Sequence, residues 1–272
     1  MVRAMLAVVD GASLPGAGTL QWQSWRGVTL RALLCTAASG GFRKAELSLP
    51  AGVRFNAAHM SRANLFWIIG GVLVRCPTPE QLRNLKEGDM AGLIVVPCKN
   101  DLWGIEFMPH PLFFRFVPGV RDNTAAALRD MVLACPVPDE RMRSTPLFSE
   151  GPVAEGGAQK PVRQGYADKM LRGLLLTFMA PEVARRYSWH SFRIGLACAL
   201  RAAGAPDSVI LALCRWKSAA SLRCYARMSS ADSASWLDAA GEQRLASVQA
   251  ASVPGVVAGL QSWDAVRGVE MP

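Results

Sequence analysis

The chain has 272 residues, 51% of them hydrophobic, and a formal net charge of +9 carried by 24 Arg against only 6 Lys. That length buries a substantial core in one large domain or two small ones, and no apolar run approaches the roughly 18 residues that a bilayer crossing requires. Seven cysteines, an odd count with no Cys-x-x-Cys pair, indicate neither a disulfide framework nor a zinc site and predict an intracellular compartment.

Residues 1–19 contain Gly and Pro and are expected as a loose lead-in; the apolar stretch within Met1–Asp10 is too brief for a signal peptide. Leu20 to Ser39 predicts a helix whose apolar face holds Trp22, Trp25, Val28, Leu30, Leu33 and Leu34, stopped by Gly40-Gly41. A short second helix over Phe42–Leu49 carries Arg43 and Glu46 one turn apart.

From Val53 to Phe107 the pattern turns to strands. Leu65–Ile69 and Val72–Val74 flank Gly70-Gly71 and predict a hairpin with a two-residue turn. A second hairpin is expected to pair Leu93–Val96 with Gly104–Phe107, with Lys99 at its tip. After Arg121 helical periodicity takes over, beginning with a helix capped by Asp122 or Asn123 that runs through Ala134. A surface loop is expected over 149–163, then helices near 165–179, 190–203, 206–214 and 218–238, with Gly204-Ala205-Pro206-Asp207 as a break. The expected fold class is α+β, mainly helical, with a small antiparallel sheet on one flank.

The residues that carry chemistry lie far apart in the chain. His190-Ser191-Phe192-Arg193 is followed by Trp216, twenty-three residues after the Arg, and by Tyr225, nine residues after the Trp. Upstream, Gly41-Phe42-Arg43-Lys44-Ala45-Glu46 supplies a second Arg and a carboxylate. A His–Arg pair at spacing three arises by chance in roughly one chain in four, so it means little alone. Requiring Trp and Tyr at two further fixed offsets lowers that chance about a thousandfold. Two guanidinium forks, neighbouring donors and a phenol are the groups that cleavage of a phosphodiester by tyrosine needs.

As a set, these motifs resemble the catalytic domain of the tyrosine recombinases, the phage-integrase family, over about residues 20–240. The resemblance implies that Tyr225 attacks the scissile phosphate, leaving a 3′-phosphotyrosyl bond and a free 5′-hydroxyl. It implies that Arg43 and Arg193 grip non-bridging oxygens and that His190 moves a proton or donates to phosphate. Trp216 stands where the family has His or Trp and would bind and pack. Lys99 resembles the hairpin lysine that protonates the departing oxygen, and Glu46 orients its neighbours. Lys44, Arg201, Arg215, Lys217, Arg223 and Arg227 are expected on a basic DNA face. No cofactor or metal is implied.

Three departures from the family stand out. The interval from Arg43 to Lys99 is long, and Arg215 precedes Trp216 where the family often has Gly. Some forty residues precede Arg43, too few for the N-terminal DNA-binding domain that completes the family's clamp, so a truncated chain, a catalytic half or a protein that relies on partners is expected. The expected organisation is a lead-in at 1–19, a catalytic domain at 20–249 and a C-terminal tail at 250–272. Expected partners are double-stranded DNA and further copies of the chain, as a dimer or tetramer on DNA, with no membrane. The protein would sit with the DNA, in a nucleus or a bacterial cytoplasm. The activity implied is recombination in integration, excision or transposition. Rival readings are a type IB topoisomerase-like enzyme and a degenerate remnant that binds DNA without cutting it.

Overall fold

The structure is a computed structural model that describes residues 1–56, 58–98, 101–105, 108–150 and 159–217. Lys99, Arg223, Tyr225 and Arg227, the helix expected over 218–238 and the tail at 250–272 lie outside these residues. The described residues fall into two units. The first comprises Met1–Leu196 and Leu213–Trp216; of the second, Ala197–Ala212 and Lys217 are described.

The fold is a mixture of helices and small antiparallel sheets, as the sequence predicts at that level. The N-terminus differs from expectation. Instead of a loose lead-in, α1 (Val2–Leu6) precedes a short hairpin of β1 (Ser13–Leu14) and β2 (Gly18–Thr19). Met5, Leu6 and Leu14 are buried in the core, so apolar side chains anchor a stretch whose Gly and Pro suggested none. Trp22 ties it down further by donating from Nε1 to the Val8 carbonyl at 2.8 Å.

Helix α2 (Trp25–Gly40) begins later than predicted because Ser24 caps it, its hydroxyl accepting from the Gly27 amide at 3.1 Å. It ends at Gly41, whose φ of 54° is left-handed and suits a residue without Cβ. Its main partner is α5 (Thr124–Ala134), capped by Asn123. Three successive buried alanines, Ala125 to Ala127, let the two helices approach closely, and Thr124 donates across the junction to the Cys35 carbonyl.

The main sheet has strand order β4-β3-β5-β6, with every neighbouring pair antiparallel. β3 (Leu65–Ile69) and β4 (Val72–Val74) form the predicted hairpin, and both turn glycines take positive φ as a two-residue turn demands. Of the second predicted hairpin, Cys98 and Asp101 form an antiparallel bridge at the expected tip, Ile94–Val96 are not strand, and Glu106 and Phe107 lie outside the described residues. β5 (Met90–Leu93) pairs with β3 on one side and with β6 (Leu112–Arg115) on the other. Gly92 makes that register possible: a Cβ there would stand 2.2 Å from the Phe66 ring, which meets Phe113 edge-on. One face of the sheet places Trp67, Leu93 and Phe114 in the same core as Leu128 and Met131 of α5.

Helix α3 (Lys44–Leu47) is the remnant of the longer helix predicted there. Two short helices went unforeseen, α4 (Pro79–Arg83) and α7 (Pro181–Ala184), each opened by a proline at its first turn. Helices α6 (Gln164–Leu176), α8 (Trp189–Ala202) and α9 (Asp207–Cys214) lie close to their predicted spans. Part of the expected 149–163 loop is described: Ser149 bridges Pro161, Arg163 bridges Leu49, and Val162 is buried. Within the second unit, Arg201 pairs with Asp207 at 2.7 Å across the turn at Gly204.

Candidate active site

Everything at this site begins with the end of α2. The reversal at Gly41 directs the chain into α3 and leaves the carbonyls of Gly40 and Gly41 without helical partners. Two guanidinium groups fill that need. Arg193, from the second turn of α8, donates from Nη1 to the Gly41 carbonyl at 2.9 Å. Arg215 donates to Gly40 at 2.9 Å and to Gly41 at 3.3 Å. A Cβ at position 41 would approach a terminal methyl of Leu196 in α8 to 2.9 Å, a contact that side chain can relieve, so it is chiefly φ that favours glycine here.

Glu46 is the second organiser. Its carboxylate is buried in α3 and accepts from three donors: the Arg43 amide at 2.9 Å, Arg43 Nη1 at 3.1 Å and Arg215 Nη2 at 3.0 Å. Arg43 precedes the helix in extended conformation and remains partly exposed, its fork steered by Glu46. The carboxylate therefore fixes one accessible cation and one buried cation at once.

The arginines differ sharply in exposure. Arg193 and Arg215 are each 1% exposed. Arg193 also donates from Nη2 to the Arg215 carbonyl at 3.1 Å and lies over the Trp216 ring, 5.6 Å from its centroid. Burial first, then the charges of Arg43 and Arg215, pull the Arg193 pKa down to about 10. It stays protonated at neutral pH. With two N–H groups committed to carbonyls, Arg193 is less available to a ligand than the sequence reading assumed.

Arg215 is a correction. Expected on a DNA-facing surface, it is instead an internal strut, with its guanidinium 4.3 Å from the centre of the Phe42 ring. The cause is local: Arg215 adopts φ 52° at the close of α9, a conformation that favours glycine and turns its side chain inward. Its position next to Trp216 was visible in the sequence, but the inward course of its side chain was not.

His190, one turn before Arg193, is solvent-accessible, and its neighbour Trp189 packs against Phe192 within the core. Desolvation of the imidazole, then the charges of Arg193 and Arg43, lower its pKa below the ordinary 6.5. At neutral pH it is uncharged and able to accept a proton. Trp216 is buried. Thus Arg43, Glu46, His190, Arg193 and Trp216 are gathered in the first unit. Lys44 turns to Asp168, which it meets at 2.7 Å, Arg201 is paired to Asp207, and Lys217 is exposed.

A cleft of about 70 Å³ adjoins Glu46, with Ser48, Phe55, His59, Val96 and Pro97 among its walls. Comparison with protein-family models, curated proteins and solved structures finds no match.

Proposed function

We propose that the protein is a DNA breaking-and-joining enzyme of the tyrosine-recombinase type, acting in integration, excision or transposition. The observation that carries this reading is the hydrogen bond from Arg193 to the Gly41 carbonyl, across 152 positions of chain. It holds the His-Ser-Phe-Arg segment against the Gly-Phe-Arg segment, which tyrosine-driven phosphoryl transfer needs side by side. The left-handed backbone at position 215 adds support, since the family often has glycine there.

In this reading Arg43, the accessible guanidinium, meets a non-bridging phosphate oxygen and stabilises charge as the pentavalent transition state forms. Arg193 supplies buried positive charge behind it. The phenol of Tyr225 forms the new P–O bond and yields its proton to a base, a role the neutral imidazole of His190 suits. The P–O5′ bond breaks, and Lys99 protonates the departing oxygen. Rejoining reverses these steps.

A second reading rests on the burial of Arg193: a descendant that binds DNA without cutting it needs that arginine only as a strut. A nicked suicide oligonucleotide separates the two. A covalent adduct that disappears in Tyr225→Phe supports the enzyme, whereas DNA binding without any adduct supports the remnant. Plasmid relaxation without added recombination sites would identify a topoisomerase-like activity instead.

A further inference from the structure

We infer that the turn carrying Leu102, Trp103 and Ile105 is an apolar wedge that enters bound duplex DNA beside the candidate active site. The inference rests on the proposed DNA-processing function. These side chains are 73%, 83% and 77% exposed, three large apolar groups within four positions. Isolated exposed apolar residues are ordinary; three together on one short turn are not.

The turn itself is firmly built. Cys98 and Asp101 exchange backbone hydrogen bonds at 2.9 and 2.8 Å. The Asp101 carbonyl accepts from the Gly104 amide at 3.3 Å, and its side chain accepts from the Ile105 amide at 3.0 Å. Gly104 has φ 68°, and a Cβ there would reach Pro97 and Met108 at 3.4 and 3.3 Å. A hydrogen-bonded frame thus holds the apolar side chains in water. The one carboxylate among residues 101–105 is buried in that frame, where it does not repel phosphates.

Location selects the occupant. Val96 and Pro97, at the root of the turn, line the same cleft as Glu46, the carboxylate that orients Arg43. In the proposed function, a duplex whose phosphate lies at Arg43 extends along this cleft toward the root of the turn. Apolar side chains next to a phosphate-binding surface enter a groove and part a base step, stabilising a bent duplex. A tryptophan also stacks on whichever base it meets, without sequence preference.

The test uses the full chain, Trp103→Ala, and a 30-base-pair duplex labelled at both ends for energy transfer. Trp103 touches little of the fold, so the melting temperature should not change. Binding should weaken about tenfold at every salt concentration, with an unchanged salt slope because no phosphate contact is lost. The end-to-end distance of the bound duplex should lengthen as the bend relaxes. Equal affinity and equal bend in both proteins would overturn the wedge, as would a wild-type chain that binds no duplex. Loss of binding to anionic vesicles alone, or of self-association alone, would overturn it in favour of a lipid or protein surface. Suicide-substrate trapping separates this from the functional proposal: a tenfold binding defect with no adduct in either protein keeps the wedge and removes the enzyme.

Discussion

Arg193 donates to the backbone carbonyl of Arg215 at 3.1 Å, so two buried guanidinium groups meet at one junction. Neither has a carboxylate to itself. Glu46 bonds Arg215 directly at 3.0 Å, and backbone oxygens satisfy much of the rest. Arg215→Ala removes the partner of a buried carboxylate and should destabilise the protein by about 3 kcal/mol. Arg215→Gly removes the same partner but relieves the left-handed backbone, so its loss should be smaller by about 1 kcal/mol. Urea denaturation of the two variants checks the order; an alanine variant as stable as the glycine variant would contradict φ 52° at this position.

His190 binds its proton less tightly in the folded chain than in the unfolded one. Between the lowered folded midpoint and the ordinary 6.5, the unfolded chain carries more protons. The stability that this group contributes is therefore complete above pH 6.5 and is lost as pH falls through the folded midpoint. Imidazole NMR should place the midpoint below 6.5 in the native protein. In Arg43→Met, which removes one of the two repelling cations, the midpoint should rise. No movement would mean that Arg43 is too distant to act on the ring.

Arg62 is a buried cation of another kind. It is 2% exposed, its Nε has no hydrogen-bond partner among the described residues, and burial lowers its pKa. A desolvated charge without a matched acceptor costs stability, and a methionine fills similar space without that cost. Arg62→Met should gain about 1–2 kcal/mol in urea unfolding, because the backbone bond from residue 62 to the Thr145 carbonyl does not depend on the side chain. A loss of stability would show that the guanidinium is better satisfied than its surroundings indicate.

Cysteine reactivity offers a check on the fold. Among the described cysteines Cys76 alone is exposed, while burial pushes the Cys35 thiol up to about 12. Brief alkylation of the native protein followed by peptide mass mapping should therefore label Cys76 and spare Cys35, Cys98, Cys135, Cys198 and Cys214. The Cys76 pKa is raised by desolvation and then by Asp139, so Asp139→Asn should speed its labelling. Fast labelling of Cys35 would mean that the α2–α5 junction opens readily.

The sequence revealed those parts of the fold in which local chemistry agrees with tertiary packing. The Gly70-Gly71 turn between apolar strands predicted the β3–β4 hairpin, and Gly40-Gly41 predicted the end of α2. It misled at β5, where Met90-Ala91-Gly92 has weak strand propensity and Gly92 is selected by the Phe66 ring laid across it. At the site, spacing brought out Arg43, Glu46, His190, Arg193 and Trp216. The inward turn of Arg215 escaped notice because it depends on a backbone angle that no spacing rule records. No helix among the described residues is long and apolar enough to cross a membrane.

The two carbonyls at the close of α2 carry a further consequence. A sixteen-residue helix concentrates partial negative charge at its C-terminal end, and here that pole faces two desolvated cations. The backbone therefore acts as counter-ion to the site, with Glu46 completing the neutralisation. Fraying the last turn of α2 would remove that neutralisation and release both arginines, so the helix terminus controls the charge presented beside Arg43.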